Sequence, residues 1–205
     1  RRNHSKSLYK YTKAGGRVVK IAFAFTGSFC THANALAVLE ELINHGFEVV
    51  PVFSPIVAST STRFGTNEEL EKAVNALCKK DIIKTIAKAE EVITRGNFDC
   101  VVVCPCTGNT LAKIAHGITD TPVTMSVKAQ LRNSRPVLLA LATNDALGAN
   151  FKNIGLCNDK KNVFFVPMKQ DDPDKKPTSL VCDFTKVYES LSLAIKGKQL
   201  QPVFL

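Results

Sequence analysis

A chain of 205 residues, 45% of them hydrophobic, can bury a large core without disulfide or metal staples, so one globular domain is expected. The net charge of +9 raises the prospect of a nucleic-acid binder, but seven of the basic residues (Arg1, Arg2, Lys6, Lys10, Lys13, Arg17, Lys20) fall in the acid-free first twenty positions, leaving 20 basic against 18 acidic residues elsewhere. Seven cysteines without a C-x-x-C, four histidines without an H-x-x-x-H and no apolar run near 18 residues argue against a metal site, a disulfide framework and a membrane span, and favour reduced thiols in a cytoplasmic protein.

In chain order, residues 1–17 read as a basic tail, disordered or appended, and 18–205 as the folded domain. Arg17–Phe25 is a buried strand, followed by the turn Thr26-Gly27-Ser28-Phe29-Cys30-Thr31. His32–His45 is helical by the spacing of Leu36, Leu39, Leu42 and Ile43, with Gly46 as its stop. Phe47–Phe53 is a second strand and Ser54–Gly65 a polar loop. Asn67 caps a helix carrying Leu70, Val74 and Leu77, and Asp81 caps another through Ile82, Ile83 and Ile86. Phe98–Cys104 is the third strand and Asn109–Gly117 its helix. Pro122 opens a helix to about Asn133. Pro136–Ala142 is the fourth strand, with a turn at Thr143-Asn144-Asp145 and a helix from about Ala146. Asn162–Val166 is a last short strand, Gln170–Thr178 a Pro-broken loop, and Asp183–Lys196 a final amphipathic helix. Apolar strands alternating with helices predict an α/β fold: a Rossmann-like, three-layer open sheet, mostly parallel, with helices on both faces.

Four strand-end turns collect small polar residues: Thr26–Thr31, Ser54–Thr62, Pro105–Thr110 and Thr143–Asp145. If their strands are neighbours, all four open on one edge of the sheet, where nucleotides and flavins bind. Each is poor in Lys and Arg, which suits a phosphate held by hydroxyls and backbone amides. Ordinary turn chemistry favours the same residues. The first turn lacks G-x-G-x-x-G and is no P-loop, so dinucleotide and ATP sites of those types are disfavoured. His32 is a candidate phosphate donor, and Lys128, Arg132 and Arg135 read mainly as a solvated helix face and its end. His116 reads as a surface or interface residue. Cys106 reads as a small filler, because nothing nearby would lower its pKa.

The run Pro105-Cys-Thr-Gly-Asn-Thr-Leu-Ala-Lys-Ile-Ala-His-Gly-Ile-Thr-Asp120 resembles the P-A-S/T-A-N-T…K-I-A-x-G-x-x-D signature of the homo-oligomeric FMN flavoproteins, which include lantibiotic and phosphopantothenoylcysteine decarboxylases. Thr26-Gly27-Ser28 matches their phosphate loop, Ser54 their hydroxyl after the second strand, and Leu141-Ala-Thr-Asn-Asp-Ala-Leu147 a divergent P-A-M-N-x-x-M. The resemblance implies FMN held by Thr26, Gly27, Ser28, Ser54, Pro105, Cys106, Thr107, Gly108, Asn109 and Thr110, in a homo-oligomer of three or more chains. Asn144 would line the active site as its catalytic residue. The family's decarboxylases carry a histidine near the positions of Ala89-Glu90-Glu91, whereas this chain has none between His45 and His116.

Ser59-Thr-Ser-Thr-Arg-Phe-Gly65, Arg132-Asn-Ser-Arg-Pro136, Ala142-Thr-Asn-Asp-Ala-Leu-Gly148, Asn162-Val-Phe-Phe-Val-Pro167 and Leu200-Gln-Pro-Val-Phe-Leu205 resemble one branch of the family, the dipicolinate synthase B subunits of spore-forming bacteria. That branch implies oxidation of a dihydrodipicolinate-type intermediate to pyridine-2,6-dicarboxylate in the mother-cell cytoplasm, with an A subunit carrying an NAD(P)-type nucleotide fold. The redox step then belongs to either component. A substrate with two carboxylates needs cationic donors, and Arg63, alone in a neutral loop, offers a bidentate fork. Asn144 and Asp145 complete the expected substrate side. Two alternatives stay open: a non-catalytic assembly component with this fold, and an FMN-dependent decarboxylase or prenyltransferase.

Overall fold

Strands that are apolar on both faces must be covered on both faces. In the computed structural model, which describes residues 16–205, four such runs lie side by side. They are β1 (Lys20–Phe25), β2 (Glu48–Phe53), β3 (Cys100–Cys106) and β4 (Val137–Thr143), parallel in the order β2-β1-β3-β4. A short β5 (Val163–Phe165) pairs in parallel with β4. The chain thus goes from β1 outward to β2, then returns to β1's other side as β3. That reversal, between β1 and β3, is the point at which doubly wound sheets open a crevice beyond their carboxyl ends.

Helices cover both sides of this sheet. On one side lie α1 (His32–Asn44), α3 (Asn67–Cys78) and α8 (Val187–Ala194). Their Leu39, Leu42, Val74 and Leu191 bury against Ile21, Phe23, Phe25 and Leu138. On the other lie α4 (Ile86–Arg95), α5 (Gly108–His116), α6 (Pro122–Arg132) and α7 (Phe151–Asn158). There Ile93, Leu111, Val127 and Ile154 pack on Ala22, Val101, Val103 and Leu139. The alternation of strand residues between the two cores is the period of two that a β-strand imposes.

Several local expectations need correction. The loop after β2 contains one helical turn, α2 (Pro55–Ser59), started by Pro55 at its first position. The next helix is capped by Thr66, one residue earlier than Asn67. Its hydroxyl accepts from the Glu69 amide, and the Glu69 carboxylate accepts from the Thr66 amide, a reciprocal capping box. Asp81 caps no helix: Ile83 extends beside β2, its amide donating to the Pro51 carbonyl and its carbonyl accepting from Phe53. The helix there starts only after Thr85. Residues 144–150 stay in turns, so the helix expected near Ala146 begins at Phe151. Val163–Phe165 is not the last strand, since β6 (Met168–Lys169) and β7 (Leu180–Cys182) form an antiparallel extension on the end of β4. Arg17, assigned to the tail, is tied to the domain by an ion pair of 2.6 Å to Asp99, whereas the rest of the tail's basic residues lie outside the described residues.

Candidate functional site

The sheet order places all four small-residue turns at the carboxyl ends of adjacent strands. Their closest link is Thr26, at the end of β1. Its hydroxyl donates to the Pro105 carbonyl at 2.7 Å and accepts from the Thr107 amide at 3.0 Å. Those two bonds join the first turn to the β3–α5 turn across the reversal point, and they leave the Thr26 hydroxyl no proton for a ligand. Thr26 therefore braces the crevice.

His32, at the start of α1, adds a second brace. Its Nε2 lies 2.8 Å from the Thr26 carbonyl. A carbonyl only accepts, so Nε2 carries the proton and is committed to the backbone instead of to a phosphate. Burial lowers the pKa of this imidazole, outweighing the opposing effect of that hydrogen bond, so the neutral ring is favoured. Between the two braces, Ser28 turns the chain into a 3₁₀ turn, Phe29–Thr31, its carbonyl accepting from the Thr31 amide and hydroxyl. Gly27 is closely covered: a Cβ there would stand 3.1 Å from Ile56 Cγ2.

Ser54 lies beside this turn, its amide donating to the Phe25 carbonyl. The residue is 6% exposed, its side chain caps nothing, and its hydroxyl is a buried polar atom without a hydrogen-bond partner. Leaving such a group unpaired costs about 1–3 kcal/mol. A buried donor without a partner beside a strand-end turn fits an anionic ligand that completes it.

On the other wall, Thr107 caps α5, accepting from the Thr110 amide at 3.2 Å and donating to the Thr110 hydroxyl at 3.1 Å. Thr110 is buried, its amide used by this cap while its hydroxyl, which accepts from Thr107, keeps its own proton; Asn109 is exposed at the mouth. Pro105 and Cys106 complete β3, and the Cys106 thiol is pushed well up by burial, then by the nearby Cys157 and Cys182. It is a filler with no tendency to ionise.

Gly108, as a glycine in the turn, suggests a close approach of ligand to backbone, but its open side is filled by protein. A Cβ would stand 2.5 Å from Asn150 Nδ2 and 2.7 Å from both Asp145 Oδ1 and Thr143 Oγ1. These atoms belong to a hydrogen-bonded chain. Thr143 and Asn150 donate to the two Asp145 oxygens at 2.6 and 2.8 Å. Asn153 donates to Asn150, and the His116 ring meets the Asn153 carbonyl oxygen at 3.2 Å. Sequence reasoning misses Thr143, Asn150 and Asn153 as members of this chain. The i, i+3 pair of asparagines is the available signal, but it does not reveal that both are buried.

Asn144 is exposed at the same edge. Its carbonyl accepts from the Thr178 hydroxyl at 2.6 Å, which holds the 170–179 loop against the β4 turn. Arg63 stands apart on the tight turn Thr62–Gly65, its guanidinium over the Phe64 ring at 4.8 Å. Phe64, with Phe29 and His32, lines a cavity of about 190 Å³ beside the first turn, but Arg63 is not in its wall. The crevice thus brings together Thr26, Gly27, Ser28, Ser54 and residues 105–110, with Asn144 and Asp145 at one end. Arg135 is engaged elsewhere, donating to the Phe98 carbonyl and the Asn97 side chain.

Among the described residues no cluster of His, Cys, Asp or Glu has metal-binding geometry, and no helix is long and apolar enough to cross a membrane.

Comparison with known proteins agrees with this architecture. The flavoprotein family matches residues 10–189. The B subunit of dipicolinate synthase from Bacillus subtilis (strain 168) is 43% identical over 186 residues, covering 91% of this chain and 93% of the relative. The crystal structure of the dipicolinate synthase B subunit from Bacillus halodurans C superposes with a TM-score of 0.84 at 38% identity, over 91% of this chain and 96% of that one. AnUbiX (PadA1), solved in complex with FMN and dimethylallyl pyrophosphate, shares the fold at a TM-score of 0.59 and 22% identity, over 74% of this chain and 78% of its own. The chain belongs to the flavoprotein family, on the branch of the dipicolinate synthase B subunits.

Proposed function

We propose that this chain is the B component of a dipicolinate synthase that binds FMN in the β1–β3 crevice. With an A subunit it would take part in oxidising a dihydrodipicolinate-type intermediate to pyridine-2,6-dicarboxylate during sporulation. The observation that carries the reading is the buried, unpartnered Ser54 hydroxyl beside the first turn. It is a donor waiting for an acceptor where a flavin phosphate would lie. The likeness along nearly the whole length of the Bacillus subtilis relative supports the choice of substrate.

In this reading Ser54 donates to the phosphate, and Gly27 and Ser28 shape the turn around it. Thr26 and His32 hold that turn at a fixed distance from Pro105 and Thr107. Pro105–Asn109 form the wall along the flavin ring, with Cys106 filling the space behind it. Bound FMN would supply a two-electron acceptor at that wall. Asn144, exposed at the ring end, orients the substrate. Asp145, fixed at both oxygens by Thr143 and Asn150, sets the polar limit of that end. Arg63 is the candidate for a substrate carboxylate, reached from its exposed turn. NAD(P) belongs to the A subunit, and the B chains form a homo-oligomer of three or more in the mother-cell cytoplasm.

The test is reconstitution of dipicolinate formation from the A subunit with and without this chain. Formation that requires both components supports the reading. An A subunit that reaches the full rate alone would contradict it and leave the assembly role ahead.

A further inference from the structure

The end of the sheet opposite the crevice carries a groove that the proposed chemistry does not use. α5 starts at the crevice and runs about 13 Å away from it, nine residues at 1.5 Å each. Arg132 ends α6 shortly before β4 begins, and Lys160 lies between α7 and β5. Because β4 and β5 are parallel, both residues sit at the amino-terminal edge of the sheet.

There a groove of about 400 Å³ opens between α5, α6 and the end of α7. Its floor is aliphatic, from Ile114 and Ile118 with Val127 and Leu131, and Ile118 is 48% exposed. Every charged residue in its lining is basic: Lys113, Lys128, Arg132 and Lys160. Lys113 is paired with Asp120 at 2.8 Å. Lys128 and Lys160 have no carboxylate partner among the described residues.

Cations often gather at helix carboxyl ends to offset the dipole there. That accounts for Lys113 and Arg132, which lie in last turns. Lys160, directly after the α7 cap Asp159 with its amide on the Cys157 carbonyl, stands at a helix carboxyl end too, but the dipole does not account for Lys128, inside α6 and short of its last turn. One-signed charge around an exposed aliphatic floor is what an acidic, apolar-tipped protein segment complements. Nucleic acid fits less well, since the floor offers no aromatic surface for stacking bases.

We propose that this groove docks an acidic segment of the companion A subunit. An apolar side chain of that segment rests on Ile118, and its carboxylates meet Lys128 and Lys160. The proposal rests on the two-component reading given above. It places the contact between components at the edge of the sheet remote from the flavin crevice, so the two properties are separable by mutation.

The experiment titrates the purified A subunit into the full chain and into the double variant Lys128→Glu/Lys160→Glu, with Lys128→Ala/Lys160→Ala as a milder second variant. Wild-type affinity should weaken as salt rises from about 50 to about 300 mM. Charge reversal should weaken it roughly tenfold or more, and the alanine pair less, in the same direction. Thermal midpoint, FMN affinity and homo-oligomer mass should stay unchanged. A wild-type complex that neither variant weakens overturns the docking surface alone, as does a loss of homo-oligomer mass in the variants, which would make the groove a self-interface. A wild-type chain that never binds the A subunit overturns both this proposal and the two-component reading.

Discussion

Gly108 is the point at which the site tolerates least change. It is the first residue of α5, where alanine would ordinarily improve the helix, by up to about 1 kcal/mol in a helix interior. Here an added Cβ would come 0.7–0.9 Å inside ordinary contact distance of Thr143, Asp145 and Asn150 at once. These side chains cannot retreat freely, because the Asp145 carboxylate is held by bonds of 2.6 and 2.8 Å and Asn150 is itself anchored by Asn153. Overpacking of this kind costs about 1–3 kcal/mol and outweighs the gain in propensity at a helix end. In a domain of this size each kcal/mol moves the midpoint by about 2–4 °C, so Gly108→Ala should lower it by roughly 2–12 °C. Calorimetry of the apo protein measures this. Repeating the substitution in an Asn150→Ala background should reduce its cost, since the nearest colliding atom is gone. A Gly108→Ala protein as stable as the parent, or more stable, would refute the reasoning.

Thr26→Val keeps the shape but removes the hydroxyl that joins β1 to the β3 turn. It leaves the Pro105 carbonyl and the Thr107 amide unpaired, a loss of roughly 2–5 kcal/mol that urea denaturation would register; a loss below about 0.5 kcal/mol would show that the brace is unimportant. The folded-state pKa of His32 is depressed, so the unfolded chain binds more protons as the pH falls below the imidazole's ordinary value of 6.5. Its stabilisation is complete above that pH and is lost on acidification towards the depressed folded-state value. A His32→Gln variant should show a flatter stability profile from about pH 7 to 5, and an unchanged slope would dismiss His32 as its source. Alkylation at about pH 8 should modify the exposed Cys30 first and spare Cys104 and Cys106, whose thiols burial holds protonated. Mass spectrometry reads the order, and early labelling of Cys106 in the native protein would contradict its assignment as a filler.

The architecture was legible because long apolar runs and helical periodicity are strong, local signals. Ile83 shows where they fail. Its neighbours Ile82 and Ile86 mimic helical spacing, but hydrogen bonds to Pro51 and Phe53, about thirty residues away, hold it extended. β6 and β7 are two and three residues long and owe their existence to pairing at the end of β4, which no window of sequence records. At the site, the turns could be read from their small residues and brought to one edge by the parallel order. What each residue does there could not. Thr26 turns out to face Pro105, and Gly108 to face Asp145, contacts separated by 79 and 37 positions. The buried loneliness of Ser54 likewise depends on what surrounds it in three dimensions.

That hydroxyl gives the most direct test of the flavin crevice. Apo protein would be titrated with FMN, following quenching of flavin fluorescence, for the parent chain and for Ser54→Ala. The parent should bind saturably. The variant should bind roughly ten- to a hundredfold more weakly, as expected for losing one hydrogen bond to a charged phosphate. Its apo form should be no less stable, because the unpaired buried hydroxyl is gone. A parent that binds no FMN, or a variant that binds it equally well, would contradict the account.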